Sequence, residues 1–290
     1  MIPFQTFLNN GVGNAWSGFD IVATQPNTSI TITPTAAIVG HPAGVPFTIN
    51  LNMGETWSGT STSQSFTQRP SGTVITSDKP IAITIKDDSM NGGVYGGCAD
   101  LMGDQLVPLP LLGTDYITIK GYLNGPDRVF VLATQNNTQV TIDGTLVGTI
   151  NAGQSYTHVQ SANTAFIQAS LPVYVLHTTG FGCEVGGAVL PTIICTGSQQ
   201  IGFTRSTTEF FALNLMVKTG GQGNFTLNGN PNLVTAANFA PVPGSNGTWM
   251  YAQIQFNTND IPQGQASLIV NSSHLFHMGV VNGGATSELS

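Results

Sequence analysis

Apolar residues recur at every second position through many short stretches of the chain, and Gly, Pro, Asn and Asp clusters separate those stretches. The pairs Ile30 and Ile32, Val140 and Ile142, and Phe225 and Leu227 show this period of two. A strand with one face buried has the same period, because successive side chains point to opposite faces. Strands of this length between turn clusters predict an all-β chain built as sandwiches or jelly rolls.

The same strand patterns return. "FDIVATQPNTSITITP" (19–34) aligns with "VFVLATQNNTQVTIDG" (129–144), and a worn copy, "LMVKTGGQGNFTLNG", follows at 215–229. A second phrase accompanies each: "GTVITSDKPIAITIK" (72–86), "TAFIQASLPVYVLHT" (164–178) and "ASLIVNSSHLFHMGV" (266–280). Between the phrases, "LNMGETWSG" (51–59) matches "INAGQSYTH" (150–158). Repetition at this scale predicts three tandem, divergent β-sandwich or jelly-roll-like repeats packed together, divided as 1–122, 123–207 and 208–290. The copies are unequally spaced, which disfavours a solenoid or a propeller with equal blades. The repeated phrase itself reads as scaffold, a strand–turn–strand that each unit must build.

Composition narrows the function. Only 7% of residues are charged and the net charge is −7, while Gly alone contributes 35 residues. The seven Lys and Arg are scattered, so there is no basic track for phosphates or for an anionic membrane surface. No uninterrupted apolar run approaches the ~18 residues that a membrane-spanning helix needs. A surface of Thr, Asn, Ser and Gln suits wet, hydrogen-bonded contact with glycans or other hydroxyl- and amide-rich partners.

Candidate chemistry is sparse. Asp87, Asp88, Asp100 and Asp104 crowd one Gly-rich segment, "KDDSMNGGVYGGCADLMGD", and are the candidate ligands for Ca²⁺, a cation that takes oxygen donors. Their spacing is not that of an EF-hand loop, and a solvated surface loop explains them as well. The same acids and Glu184 are the only candidates for a glycan hydrolase or lyase. Trp57, Tyr156 and Trp249 lie at or near equivalent places in the three repeats, where they either anchor each core or stack on a ligand. His177 ends an alternating strand, and His274 and His277, three apart, are expected on opposite faces of one strand. Neither a G-x-S-x-G elbow nor a phosphate-binding glycine loop occurs. Of three cysteines, Cys183 and Cys195 flank one loop and are the expected disulfide, leaving Cys98 as the odd thiol.

The ordered segments "CADLMGDQLVPLPLLGTDYI", "ATQNNTQVTIDG" and "GGAVLPTIICTGS" resemble the N-terminal domain of IgGFc-binding proteins, over nearly the whole chain from Trp16 to Gly284. The resemblance is to the bacterial type, found in secreted and surface proteins beside adhesin-like modules. It implies a non-catalytic extracellular or cell-surface module for recognition or adhesion, with no catalytic residues to transfer. It also implies the Cys183–Cys195 bridge. The expected partner is a glycan or glycoprotein, or further copies of the chain if the protein assembles into a surface layer, filament or virion.

Overall fold

The computed structural model describes residues 15–65, 68–90, 98, 100–194 and 196–284. Strand pairing sorts them into three pairs of sheets. In the first pair, β1 (Ser17–Ala23) is flanked by β4 (Thr56–Thr60) and β6 (Ile81–Met90), with β7 (Asp100–Gln105) beyond β6. The facing sheet sets β2 (Thr28–Thr33) between β3 (Phe47–Leu51) and β5 (Val74–Ser77).

The second pair repeats the plan. One sheet runs β13 (Ser155–Gln160), β10 (Asp127–Ala133), β15 (Val173–Gly182), β16 (Glu184–Val189), and the two-residue β9 (Tyr122–Leu123) joins the end of β15. The other runs β12 (Thr145–Ile150), β11 (Thr138–Ile142), β14 (Thr164–Ala169), β8 (Asp115–Ile119). In the third pair, β17 (Gln200–Thr204), β22 (Ala266–Asn271) and β19 (Phe225–Leu227) form the small sheet. The larger one orders β20 (Ala240–Pro241), β21 (Trp249–Gln255), β18 (Phe210–Lys218) and β23 (Phe276–Gly283). The fold is therefore all-β, three sandwich-like repeats in tandem. Hydrogen bonding places β8 with the second repeat, on β14, and β17 with the third, on β22. Both strands lie before the sequence divisions at 122/123 and 207/208. Neither carries a copy of the repeated phrases, so alignment had nothing by which to place them.

Each repeated phrase is a corner, not a hairpin. β1 and β2 sit in different sheets of one sandwich, as do β10 and β11, and β18 and β19. The second phrase makes the matching corners from β5 to β6, β14 to β15 and β22 to β23. The turn residues show why the wording is kept. Thr28 and Thr138 are fully buried, and their hydroxyls donate to the carbonyls of Gln25 and Gln135, both at 2.8 Å. Asn27 and Asn137 take φ of 53° and 59°, in the left-handed region that Asn tolerates. Their amides donate to the side chains of Asn52 and Asn151, supplied by the third matching segment.

The second repeat is buried from both sides. Val129, Val131, Val173 and Val175 fill its own interior, while Phe130, Leu132, Tyr174 and Leu176 join the core of the first repeat. That double burial accounts for the unbroken apolar runs of β10 and β15, where alternation is lost. Its other sheet presents Ile117 and Phe166 outward, against Val242 and Trp249 of the third repeat. Where the backbones meet, Gly72 lies against Gly153, and Gly244 lies against Asp143; a Cβ at either glycine would sit 2.6 Å from backbone.

Edge strands β7 and β16 join the first two repeats in an unusual way. Cys98 is bonded to Cys183. Asp100 Oδ2 accepts the Val185 amide at 2.7 Å, and Asp104 Oδ2 accepts the Val189 amide at 2.6 Å. Between them Met102 packs over Gly187, whose missing side chain makes the room. Side chains of one edge thus satisfy the backbone of the other at a constant offset of 85 residues.

Candidate functional site

The disulfide corrects the sequence expectation. Cys183 pairs with Cys98, 85 residues away and in the preceding repeat, and not with Cys195, which lies outside the described residues. Sequence proximity favoured the short loop; the meeting of the two sheet edges decided otherwise.

The four aspartates do not assemble one ligand set. Asp87, fully buried, pairs with the Arg69 guanidinium and accepts the Ser89 amide at 3.1 Å. Asp88 is exposed and accepts the Trp16 amide at 3.1 Å. Asp100 and Asp104 hold β16. Among the described residues, the group of three metal-type donors that come within 4.8 Å of one another is Cys98, Cys183 and Glu184, and its two sulfurs are bonded to each other. A disulfide sulfur is no thiolate ligand. Contact with Asp100 through a side-chain hydrogen bond, then burial, pushes the Glu184 carboxyl up to about 7. Two carboxyl groups in hydrogen-bond contact leave no gap for a sugar, whereas glycosidase pairs stand roughly 5 Å or more apart.

The three aromatics occupy different surroundings. Trp57 is half-buried among Phe19, Phe47 and His41 in the first core. Tyr156 packs, half-buried, against the second core. Trp249 is buried between the second and third repeats, with its ring 6.0 Å from His277 and Lys218 Nζ 5.9 Å above it. No common platform for a ligand results.

A groove of about 840 Å³ lies between the second and third repeats. β8 and β16, the edges of the two sheets of the second repeat, form one side together with the end of β15, and β23 with the groove-facing residues of β18 forms the other. Its volume falls within the range of small-molecule and peptide pockets. Three buried side-chain atoms that line it, Thr179 Oγ1, Asn214 Oδ1 and His277 Nε2, have no hydrogen-bond partner among the described residues. Burial holds the His277 imidazole below its ordinary pKa, so it is neutral at pH 7. His177 also lines the groove, and its Nε2 lies 2.9 Å from Asp127 Oδ2, which accepts the Gly121 amide as well. Phe181 stacks on Phe210 at 4.5 Å and binds the two repeats together at one end. Adding a Cβ to Gly186, Gly279 or Gly283 would meet nothing closer than 3.6 Å, and none of the three has positive φ. Packing and backbone geometry do not require glycine there; the bare surface keeps the groove open.

Sequence reasoning placed His177 at a strand end but gave no sign of Thr179 or Asn214, because the two walls come from different repeats. His277 faces the groove from β23, while His274 precedes that strand in the corner, where its Nδ1 lies 2.7 Å from Ser273 Oγ.

The family model described as IgGFc binding protein matches residues 5–281. The chain belongs to the IgGFc-binding protein family. No curated protein and no solved structure matches it. Among the described residues that line the groove, no nucleophile is hydrogen-bonded to a base. Among the described residues, no helix is long and apolar enough to cross a membrane.

Proposed function

We propose that this protein is a non-catalytic recognition module of an extracellular or cell-surface protein, and that it takes a glycan-bearing protein partner in the groove between its second and third repeats. The three unpartnered polar atoms in that groove carry the reading. A buried polar group without a partner costs about 1–3 kcal/mol, and a bound ligand that supplies the missing hydrogen bonds recovers it. The ligand must be rich in uncharged donors and acceptors, since Glu184 and two histidines are the ionisable groups on the groove wall. Family membership supports a protein partner, and the Cys98–Cys183 bond suits an oxidising, extracellular compartment.

The test is surface plasmon resonance of the intact protein against immunoglobulin Fc and mucin-type glycoproteins, each before and after enzymatic deglycosylation. Binding that weakens on deglycosylation, and in Asn214→Ala or His277→Ala, is expected. Failure of every glycoprotein to bind, or binding indifferent to both substitutions, removes the proposal.

A further inference from the structure

The groove is bordered along its length by a strand edge that, beyond Ser198, no described residue covers. β23 pairs with β18 on one side, and on the other side Phe276 exchanges both backbone hydrogen bonds with Ser198. Peptide groups alternate direction along an antiparallel strand. Because those of Phe276 point away from β18, so do those of Met278, Val280 and Asn282. The other half of the register agrees: Phe211 O accepts the Phe256 amide on the β21 side, which leaves Phe210, Ala212, Asn214 and Met216 to bond β23. Beyond the single bridge at Ser198, no described residue takes the outward amides and carbonyls of Met278, Val280 and Asn282.

Proteins commonly blunt such an edge with charge, proline or a covering element. The β7–β16 junction in this molecule does so with two aspartate carboxylates. β23, "FHMGVVNG", has no charged residue and no proline, and Val280 is 44% exposed. Eight residues at about 3.3 Å each make an edge of roughly 26 Å. The groove beside it is walled by His277, Gly279 and Asn214 on one side and by Thr179, Gly186 and Ala188 on the other.

We infer that the partner enters as an extended peptide segment, adding a strand antiparallel to β23 in the register begun by Ser198. This rests on the recognition reading and names how the partner is held. Main-chain hydrogen bonds to Met278, Val280 and Asn282 supply affinity; Asn214, His277 and Thr179 meet polar side chains of the segment that point into the groove. The segment is uncharged or weakly basic, because Glu184 is the one acid among the lining residues and no Lys or Arg stands beside it.

A random dodecapeptide library displayed on phage, selected on the intact protein, provides the probe. Val280→Pro removes an outward N–H and leaves every β18 hydrogen bond in place, a position where an edge strand tolerates proline. Expected are selected peptides that slow hydrogen exchange at the Met278 and Val280 amides and bind Val280→Pro about tenfold or more weakly. They also lose binding when every second peptide nitrogen is methylated, a readout that does not depend on the variant folding. Undiminished binding to a folded Val280→Pro, methylated peptides that bind as well as unmodified ones, or selection of no peptide would each overturn strand addition. Free oligosaccharides that bind wild type and Val280→Pro equally but not Asn214→Ala would also overturn it, in favour of a sugar in the groove, while the recognition reading stands. Strand addition by peptides together with silence from every glycoprotein would sink the glycoprotein reading alone.

Discussion

Asp87 and Glu184 show how differently two acids behave in a chain this poor in charge. Asp87 is sealed beneath the surface with Arg69, and removing one member of a buried ion pair is strongly destabilising. Asp87→Ala is expected to lower stability by about 3–5 kcal/mol, measured by urea denaturation. Glu184 is the reverse case, an acid that folding makes harder to ionise. Its folded pKa of about 7 lies above the unfolded value of 4.5, so the folded state binds more protons between the two. Its contribution is fully present below pH 4.5 and is lost as pH rises through about 7. His277, depressed by burial, works oppositely, since acidification below its unfolded value of 6.5 favours the unfolded chain. The melting temperature of Glu184→Gln, compared with wild type from pH 5 to 8, should lack the fall toward high pH while keeping the histidine's loss toward low pH.

At the scale of elements, the informative pairs are strands that meet by their edges. β7 offers Asp100 and Asp104 to the amides of β16, so a short acidic strand does the work of a backbone ladder. Hydrogen bonds to a charged group contribute about 1.5–3 kcal/mol each. Asp100→Ala and Asp104→Ala are each expected to destabilise by that amount, and to speed amide exchange at Val185 and Val189 respectively; unchanged exchange at those two sites would refute the assignment. The corners give a second case. Thr28 and Thr138 each close a turn that carries the chain from one sheet to the facing sheet, and replacement by Val should cost about 0.5–1.5 kcal/mol at either site by thermal melting. The repeated phrase was readable as scaffold from its alternation. Its role as a corner was not, because a strand–turn–strand pattern looks the same whether its strands pair with each other or part into two sheets.

For the whole molecule, the Cys98–Cys183 bond closes an 85-residue separation and ties the first repeat to the second. Loop-closure entropy for that length gives about 4–5 kcal/mol. Cys98→Ser or Cys183→Ser should lower stability by an amount of that order in denaturant titrations, whereas Cys195→Ser should leave the Cys98–Cys183 linkage intact in a peptide map. Much of this architecture was legible beforehand: the all-β class and the inward strand positions follow from a period of two, which each strand states locally, and the three copies follow from the recurring phrases. Of the four acids close in sequence, Asp87 and Asp88 part because a strand turns alternate residues to opposite faces, whereas Asp100 and Asp104, four apart on β7, share the face that meets β16.

Local sequence therefore determined what each strand is and which of its faces is buried, because side-chain alternation is a property of a few adjacent residues. Tertiary structure alone decided which edges meet: Cys98 with Cys183, Asp100 with Val185, β23 with an open groove. Those choices are made between segments about a hundred residues apart, by how three sandwiches stack, and no short stretch of sequence records that geometry.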